Sequence, residues 1–204
     1  MTNLNLAKKL NANFYRRELL TVAKDLLGKI FMKTDGKNII AGKIVEVEAY
    51  HGDFDEAAHS YRGITKRTRI MFEPGGYLYV YFTYGVHYCC NVVTGKKGQG
   101  TAVLIRAIEP ISGFDKMIKN RFARKLRSEK EILNLTSGPG KICKAFGIDK
   151  SHSGIDLTGD RIFILNSKKI KQQDIGISRR IGITKSVDLP WRFFIKDNPY
   201  LSGK

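Results

Sequence analysis

Cysteine is scarce in this chain. Cys89, Cys90 and Cys143 are an odd number, and two of them are adjacent. That excludes a disulfide framework and a Cys-x-x-Cys metal site, and fits a reducing, intracellular compartment. No apolar run approaches the about 18 residues of a membrane span, and no N-terminal signal pattern is present. Neither a membrane-spanning nor a secreted chain is therefore expected. Internal repeats and low-complexity segments are absent as well. Acid is also in short supply, with 19 Asp and Glu against 36 Lys and Arg, a formal net charge of +17 and a sequence pI of about 9.9. A field of that sign favours a polyanionic partner, nucleic acid first and an acidic membrane surface second. A cell rich in lysine throughout its proteins would produce part of the same bias.

What is present suits one folded domain. The 204 residues are 42% hydrophobic and 10% aromatic, enough for a real core and against wholesale disorder. Residues 1–12 are polar and read as a loose segment. Phe14 to Leu27 places apolar residues at helical spacing, and Gly28 is a suitable stop. Lys29 to Met32 reads as a strand, closed by Thr34, Asp35 and Gly36. Asn38 to Tyr50 alternates, with Ile44 on one face and Glu46 and Glu48 sharing a face two residues apart. Such a carboxylate pair on a strand is ordinarily solvated.

Five of the nine tyrosines fall between Gly75 and Asn91. Leu78, Val80 and Phe82 alternate with Tyr77, Tyr79, Tyr81 and Thr83, the period of a strand with two chemically different faces. Gly85 supplies a turn with Tyr84 at the tip, and Val86 to Asn91 returns. Leu78, Val80 and Phe82 are the expected buried face. An aromatic core hairpin is one reading; a nucleic-acid wedge in a basic chain is the other.

Asp53 to Ser60 reads as a short helix with Asp55 and His59 on one side. Together with Glu48 and His51 these offer a metal-site reading, but the spacings match no strong metal-ligand motif. Arg62 to Arg69 is a basic loop that suits phosphate contact or plain solvation. Thr94 to Thr101 is glycine-rich but matches no nucleotide-binding fingerprint. In the strand Thr101 to Ile108 a lone Arg106 needs a partner, and Glu48 would serve. Asp115 to Leu135 reads as helical. Leu135 to Lys141 then offers Ser137 as a cap, Pro139 for a first turn and Gly147 as a stop. That helix start, with Lys141 beside it, suits a phosphate, although no P-loop is spelled. Gly159 to Ile195 alternates short strands such as RIFIL and RFFI with basic loops.

Seven ordered blocks then converge: IVEVEAY (44–50), EAAHS (56–60), MF…PGGYLYVYFTYGVHYCCNVV (71–93), VLIRAIEP (103–110), TSGPGKICKAFGI (136–148), RRIGI (179–183) and LPWRFF (189–194). Across nearly the whole chain, Phe14 to Ser202, it resembles the alkyladenine/3-methyladenine DNA glycosylases, the alkylpurine base-excision family without helix-hairpin-helix elements. The resemblance implies an α/β (α+β) fold: one compact domain with a curved, mainly antiparallel sheet, flanking helices and a protruding DNA-intercalating β-hairpin. It implies no metal, no cofactor and no lyase lysine, and so removes the metal reading of His51 and His59.

It also implies roles. Glu48 matches the catalytic carboxylate that activates a water, and Arg106 the residue that helps hold Glu48 and that water. The backbone carbonyl of Ile181 completes the water site. Tyr50, His59 and Tyr81 match the base pocket, and Asn91 the position that crowds the 2-amino group of guanine. Tyr84 matches the intercalating residue, with Val86 and His87 beside it against the flanking backbone. Arg67 and Lys141 are expected on phosphates. The family usually shows Arg-Asn where this chain has Arg67-Thr68.

The implied activity is that of a monofunctional glycosylase on double-stranded DNA containing damaged purines. It would be a monomer with no membrane partner, leaving an abasic site in base excision repair. Two other classes remain beside it: a non-catalytic, structure-specific DNA-binding protein, and an RNA-binding module suggested by charge alone.

Overall fold

A computed structural model describes residues 7–126 and 128–203. Helices α1 (Ala12–Tyr15) and α2 (Leu19–Leu26) precede strands β1 (Ile30–Thr34) and β2 (Ile39–Tyr50). A hairpin of β3 (Leu78–Thr83) and β4 (His87–Thr94) leads into β5 (Thr101–Ser112). Helices α3 (Phe114–Phe122), α4 (Glu129–Leu133) and α5 (Pro139–Phe146) follow, then the short strands β6 (Ile162–Leu165), β7 (Ile175–Ser178) and β8 (Arg192–Ile195).

Among the described residues every strand pairing is antiparallel, and the sheet runs β3-β4-β5-β2-β1-β6. Strand β2 is long enough to fork the sheet. Its first half pairs with β1, its second half, Glu46 to Glu48, pairs with β8, and β5 runs along its other edge. The curled antiparallel sheet with few helices agrees with the expected architecture.

One sheet face is closed by helices. Leu78 and Val80 of β3, Cys90 and Val92 of β4, Val103 and Ile105 of β5, and Val47 and Ala49 of β2 pack there against Val22 and Leu26 of α2 and Ile142 and Phe146 of α5. The alternate residues of the same strands point to the other face, which holds a smaller cluster of Met71, Tyr79, Val93 and Ala102. Phe82 departs from its expected burial. It lies near the end of β3, next to the hairpin turn, and is 49% exposed.

Other departures have local causes. The expected helix Phe14–Leu27 divides because the Glu18 carboxylate accepts from the amides of Leu20 and Thr21, both at 2.8 Å, and so starts a new helix at Leu19. The helical stretch expected from Asp115 to Leu135 breaks after Phe122, where Ala123 takes a left-handed conformation at φ 53°. Asp53 to Ser60 forms turns, not a helix, since Asp55 is pulled inward to a distant arginine. Ser137 donates to Asn134 and leaves Gly138 as the cap of α5, while Pro139 and Gly147 mark its start and stop as expected. Of the segment expected to be loose, residues 1–6 lie outside the described residues. Further on, the Leu10 amide donates to Ile164 at 2.8 Å and its side chain is buried.

Gly75 shows why the PGGYLYV block carries glycine. A Cβ there would overlap the carbonyl oxygen of Tyr15 and crowd the Cα of Thr94, backbone that has no room to yield. Gly75→Ala is expected to cost about 1–3 kcal/mol by overpacking, read as a lower urea midpoint at unchanged m-value. An unchanged midpoint would mean that Tyr15 and Thr94 are not held against this loop.

Candidate active site

The face of the sheet opposite the helices carries the site. The register aligns Tyr79, Asn91, Leu104 and Glu48 in one row across β3, β4, β5 and β2. In the neighbouring row Tyr81 faces Cys89. The register of β2 and β5 slips between Ile44 and Val47, where Glu46 pairs with Ala107 and Val47 with Ile105. Arg106 falls in that bulge. Bulges bend a strand and redirect its side chains, and this one turns Arg106 toward both β2 glutamates.

Glu46 and Glu48 are fully buried, against the expectation of a solvated pair. Arg106 spans them, its Nε donating to Glu46 Oε1 at 3.0 Å and its Nη1 to Glu48 Oε2 at 3.2 Å. Burial opposes the guanidinium charge, but the attraction of Glu48 and Glu46 outweighs it and holds the Arg106 pKa above its usual value. Glu46 also accepts from Arg192 Nε at 2.7 Å, from Ser202 Oγ at 2.8 Å and from the Ser202 amide at 2.6 Å. It anchors the arginines and the C-terminal segment.

Glu48 accepts from three donors: Arg106, the Tyr50 hydroxyl at 2.9 Å, and the Ile181 amide at 2.7 Å. A carboxylate has about four lone-pair sites, so about one stays open. Arg106, Tyr50, Leu104 and Ile181 line a cavity of about 250 Å³ with Tyr79, Tyr81, His59 and Asn91. The contact made by Ile181 to Glu48 is through its N–H; the expectation concerned its carbonyl.

The aromatic wall is layered. Tyr79 and Tyr81 stack at 5.7 Å, and His59 meets Tyr81 edge-on at 4.4 Å. Burial raises the pKa of Tyr50, Tyr79 and Tyr81, and Glu48 raises that of Tyr50 further, so the phenols stay protonated. Arg180 lies over the Tyr50 ring at 4.6 Å, and Arg67 over Tyr81 at 5.4 Å. Asn91 is buried, its Nδ2 donating to the Tyr79 carbonyl at 3.3 Å.

His59 is fully engaged within the protein. Arg67 donates to Nε2 at 3.3 Å, which leaves the proton on Nδ1, 3.1 Å from the Tyr79 hydroxyl. Burial first and the Arg67 charge second lower its pKa to about 4. The unfolded imidazole protonates near about 6.5. Between those values the unfolded state holds more proton, so this group's contribution to stability is full above about pH 6.5 and is lost as pH falls toward about 4. The His59 ring resonances are expected to titrate near pH 4, and Arg67→Gln should move the midpoint upward. A native midpoint near about 6.5 would mean a solvated ring.

At the hairpin tip Tyr84 is 81% exposed with φ 51°, next to Gly85 at φ 68°. Two successive positive φ values are what a tight antiparallel turn of native twist requires. Val86 and His87 are exposed beside it, with His87 close against Gly140 at the start of α5. Lys141 donates to Asn134 and Ser137. In the basic loop Thr68 is buried and its hydroxyl donates to the Gly63 carbonyl at 3.0 Å, which closes the loop.

The site has members that sequence reasoning left out. Tyr79 was legible, two residues before Tyr81 on the same strand face. Arg180 had only its place in the RRIGI block to recommend it. It is fully buried with Asp55, joined at 2.5 and 2.8 Å, and also donates to the Ala49 carbonyl at 2.9 Å and the Ser186 carbonyl at 3.2 Å. With Asp55 held by Arg180 and both His59 nitrogens occupied, these side chains do not come together as metal ligands, and no cluster of three ligating residues occurs among the described residues.

The sequence model for methylpurine-DNA glycosylase (MPG) matches residues 13–199. A relative in Carboxydothermus hydrogenoformans is 49% identical over 192 residues, 94% of this chain and 97% of its own. Relatives in Clostridium novyi, at 47% over 97% of this chain and all of their own, and in Alkaliphilus oremlandii, at 46% over 96% and 100%, are as similar. All three are provisionally named 3-methyladenine DNA glycosylases. The matches thus define a DNA repair hydrolase acting on N-glycosyl bonds, of the 3-methyladenine DNA glycosylase type. The chain belongs to the methylpurine-DNA glycosylase family. Among the described residues no helix is long and apolar enough to cross a membrane.

Proposed function

We propose that the chain is a monofunctional glycosylase that removes 3-methyladenine and related alkylated purines from double-stranded DNA, inside the cell and as a monomer. The observation that carries the reading is Glu48: a buried carboxylate under an aromatic cavity, held by three donors, with about one lone pair left for a water. A stacked base is out of reach of such a group, so the nucleotide must leave the duplex, at a cost of roughly a few kcal/mol. Tyr84, presented to solvent at the turn, fills the gap in the stack.

The flipped base enters between Tyr50, on the ring face away from Arg180, and the Tyr81 wall. A cationic alkylated purine gains about 0.5–2 kcal/mol from such faces, and a neutral normal base gains less. Neutral His59 adds no repulsive charge. Its nitrogens are occupied in the free protein, so a bond from His59 to the nucleotide requires it to exchange Arg67 or Tyr79. Asn91, on the pocket floor, crowds the 2-amino group of guanine.

Glu48 takes the proton of a water that attacks the sugar C1′, and its charge stabilises the oxocarbenium-like transition state. The Ile181 carbonyl is the second anchor for that water. With water as nucleophile the product is an intact abasic site and a free base. Arg67 and Lys141 contact phosphates. The test is a duplex holding one 3-methyladenine analogue or one hypoxanthine, incubated with the protein and then cleaved with alkali. Strand breaks only after alkali are expected. No break with folded protein that binds the duplex would overturn the enzyme reading in favour of a DNA-binding protein, and breaks without alkali would overturn the monofunctional one.

A further inference from the structure

A second basic surface lies on the other side of Tyr81, along the free edge of β3. This strand ends the sheet, and its outward backbone is covered only at first. The Leu78 amide donates to Ile155 at 2.9 Å, Gly154 donates to Leu78 at 2.7 Å, and the Val80 amide donates to Ser153 Oγ at 3.1 Å. Strand backbone repeats every two residues, so the Phe82 amide points the same way, one step past that cover. Phe82 lines a groove of about 640 Å³ whose walls carry Lys66, Arg67, Arg69 and Lys150.

Among the described residues no carboxylate lines this groove. Lys66, Arg69 and Lys150 have no ion pair among the described residues, whereas the arginines of the active site are all paired with acids except Arg67. The acid nearest in sequence, Asp149, turns Oδ1 to Ser151 and His152. Four cations facing one cleft without counter-charge repel one another until an anion enters. Tyr81 lines both this groove and the base cavity, and Arg67 of the groove lies over the Tyr81 ring and donates to His59 of the cavity wall, so the two adjoin at the edge of β3.

We propose that the groove is a second DNA-backbone site. It holds phosphates of the lesion-bearing strand immediately to one side of the flipped nucleotide, with Lys66, Arg69, Lys150 and the Phe82 amide as donors. The strand passes Arg67 at the mouth of the cavity and continues along β3, while the half-exposed Phe82 ring, 5.0 Å from Tyr88, offers an apolar surface to the sugars. The proposal rests on the glycosylase reading for which nucleotide is flipped, but its test does not require catalysis.

The triple variant Lys66→Gln, Arg69→Gln, Lys150→Gln is compared with a control triple, Lys37→Gln, Lys168→Gln, Lys171→Gln, of exposed residues around β1 and β6 at the opposite edge of the sheet. Dissociation constants for a damaged duplex are measured against salt, with duplexes shortened from either side of the lesion. The groove variant should lower the slope of log K against log salt by about 2–3, at about 0.9 per phosphate contact, and the control should leave it nearly unchanged. Shortening the duplex on one side alone should abolish the difference between native protein and groove variant. Single-turnover base release at saturating protein should be unchanged. Equal slopes for groove and control triples, or a loss insensitive to which side is shortened, would overturn the proposal. If the native protein releases no base while the groove slope still falls, the glycosylase reading fails and the groove stands.

Discussion

Glu48→Gln is expected to bind damaged duplex about as well as the native chain and to release base about 10²–10⁴-fold more slowly. The substitution keeps the volume of the side chain and one oxygen to accept from the Ile181 amide, so the cavity keeps its shape. On the proposed mechanism it removes the proton acceptor and the negative charge facing the sugar. An amide in that place also sets N–H against the Arg106 guanidinium, a loss of about 1–3 kcal/mol of stability that should appear as a small fall in Tm. Arg106 stays oriented through Glu46. Binding by gel shift and single-turnover release on the same preparation separate the two effects. Turnover surviving in this variant would remove Glu48 from the role of base.

Arg180→Met should have the largest effect on stability. Asp55 and Arg180 have no exposed side-chain surface, and the guanidinium is shared by Asp55, two backbone carbonyls and the Tyr50 ring. Removing the cation strands a buried carboxylate, which costs about 3–5 kcal/mol. The same change loosens the peptide leading into Ile181 and the underside of Tyr50, both of which hold Glu48. Urea unfolding should show the loss, with base release falling as well below the transition. Arg180→Lys keeps the charge without the bidentate fork and should be intermediate. A Met variant with native stability and native turnover would show that the pair supports neither the fold nor the site.

Local chemistry made much of the fold legible. The alternation in β2, the turn at Tyr84 and Gly85, and the helix opened by Pro139 and stopped by Gly147 each follow from constraints within a few residues. Such constraints act on the chain wherever it is placed. Helix ends within 12–27 and 114–133 were less legible, because one glutamate folding back on its own backbone and one alanine at positive φ override a continuous apolar pattern.

Ordered motifs alone determined the family, the candidate base Glu48 and the tyrosines that wall its cavity. Only the tertiary structure decided the electrostatic state of the site. Whether Glu46 and Glu48 face water depends on Arg106, Arg192 and Ser202, whose partnership with them spans 58 to 156 residues of chain. The bulge that aims Arg106 needs the register of two strands, and the low pKa of His59 needs its burial first and the Arg67 charge beside it second. Burial and charge pairing are properties of the assembled surroundings: a carboxylate two residues from another on a strand is ordinary surface until three distant segments close over it.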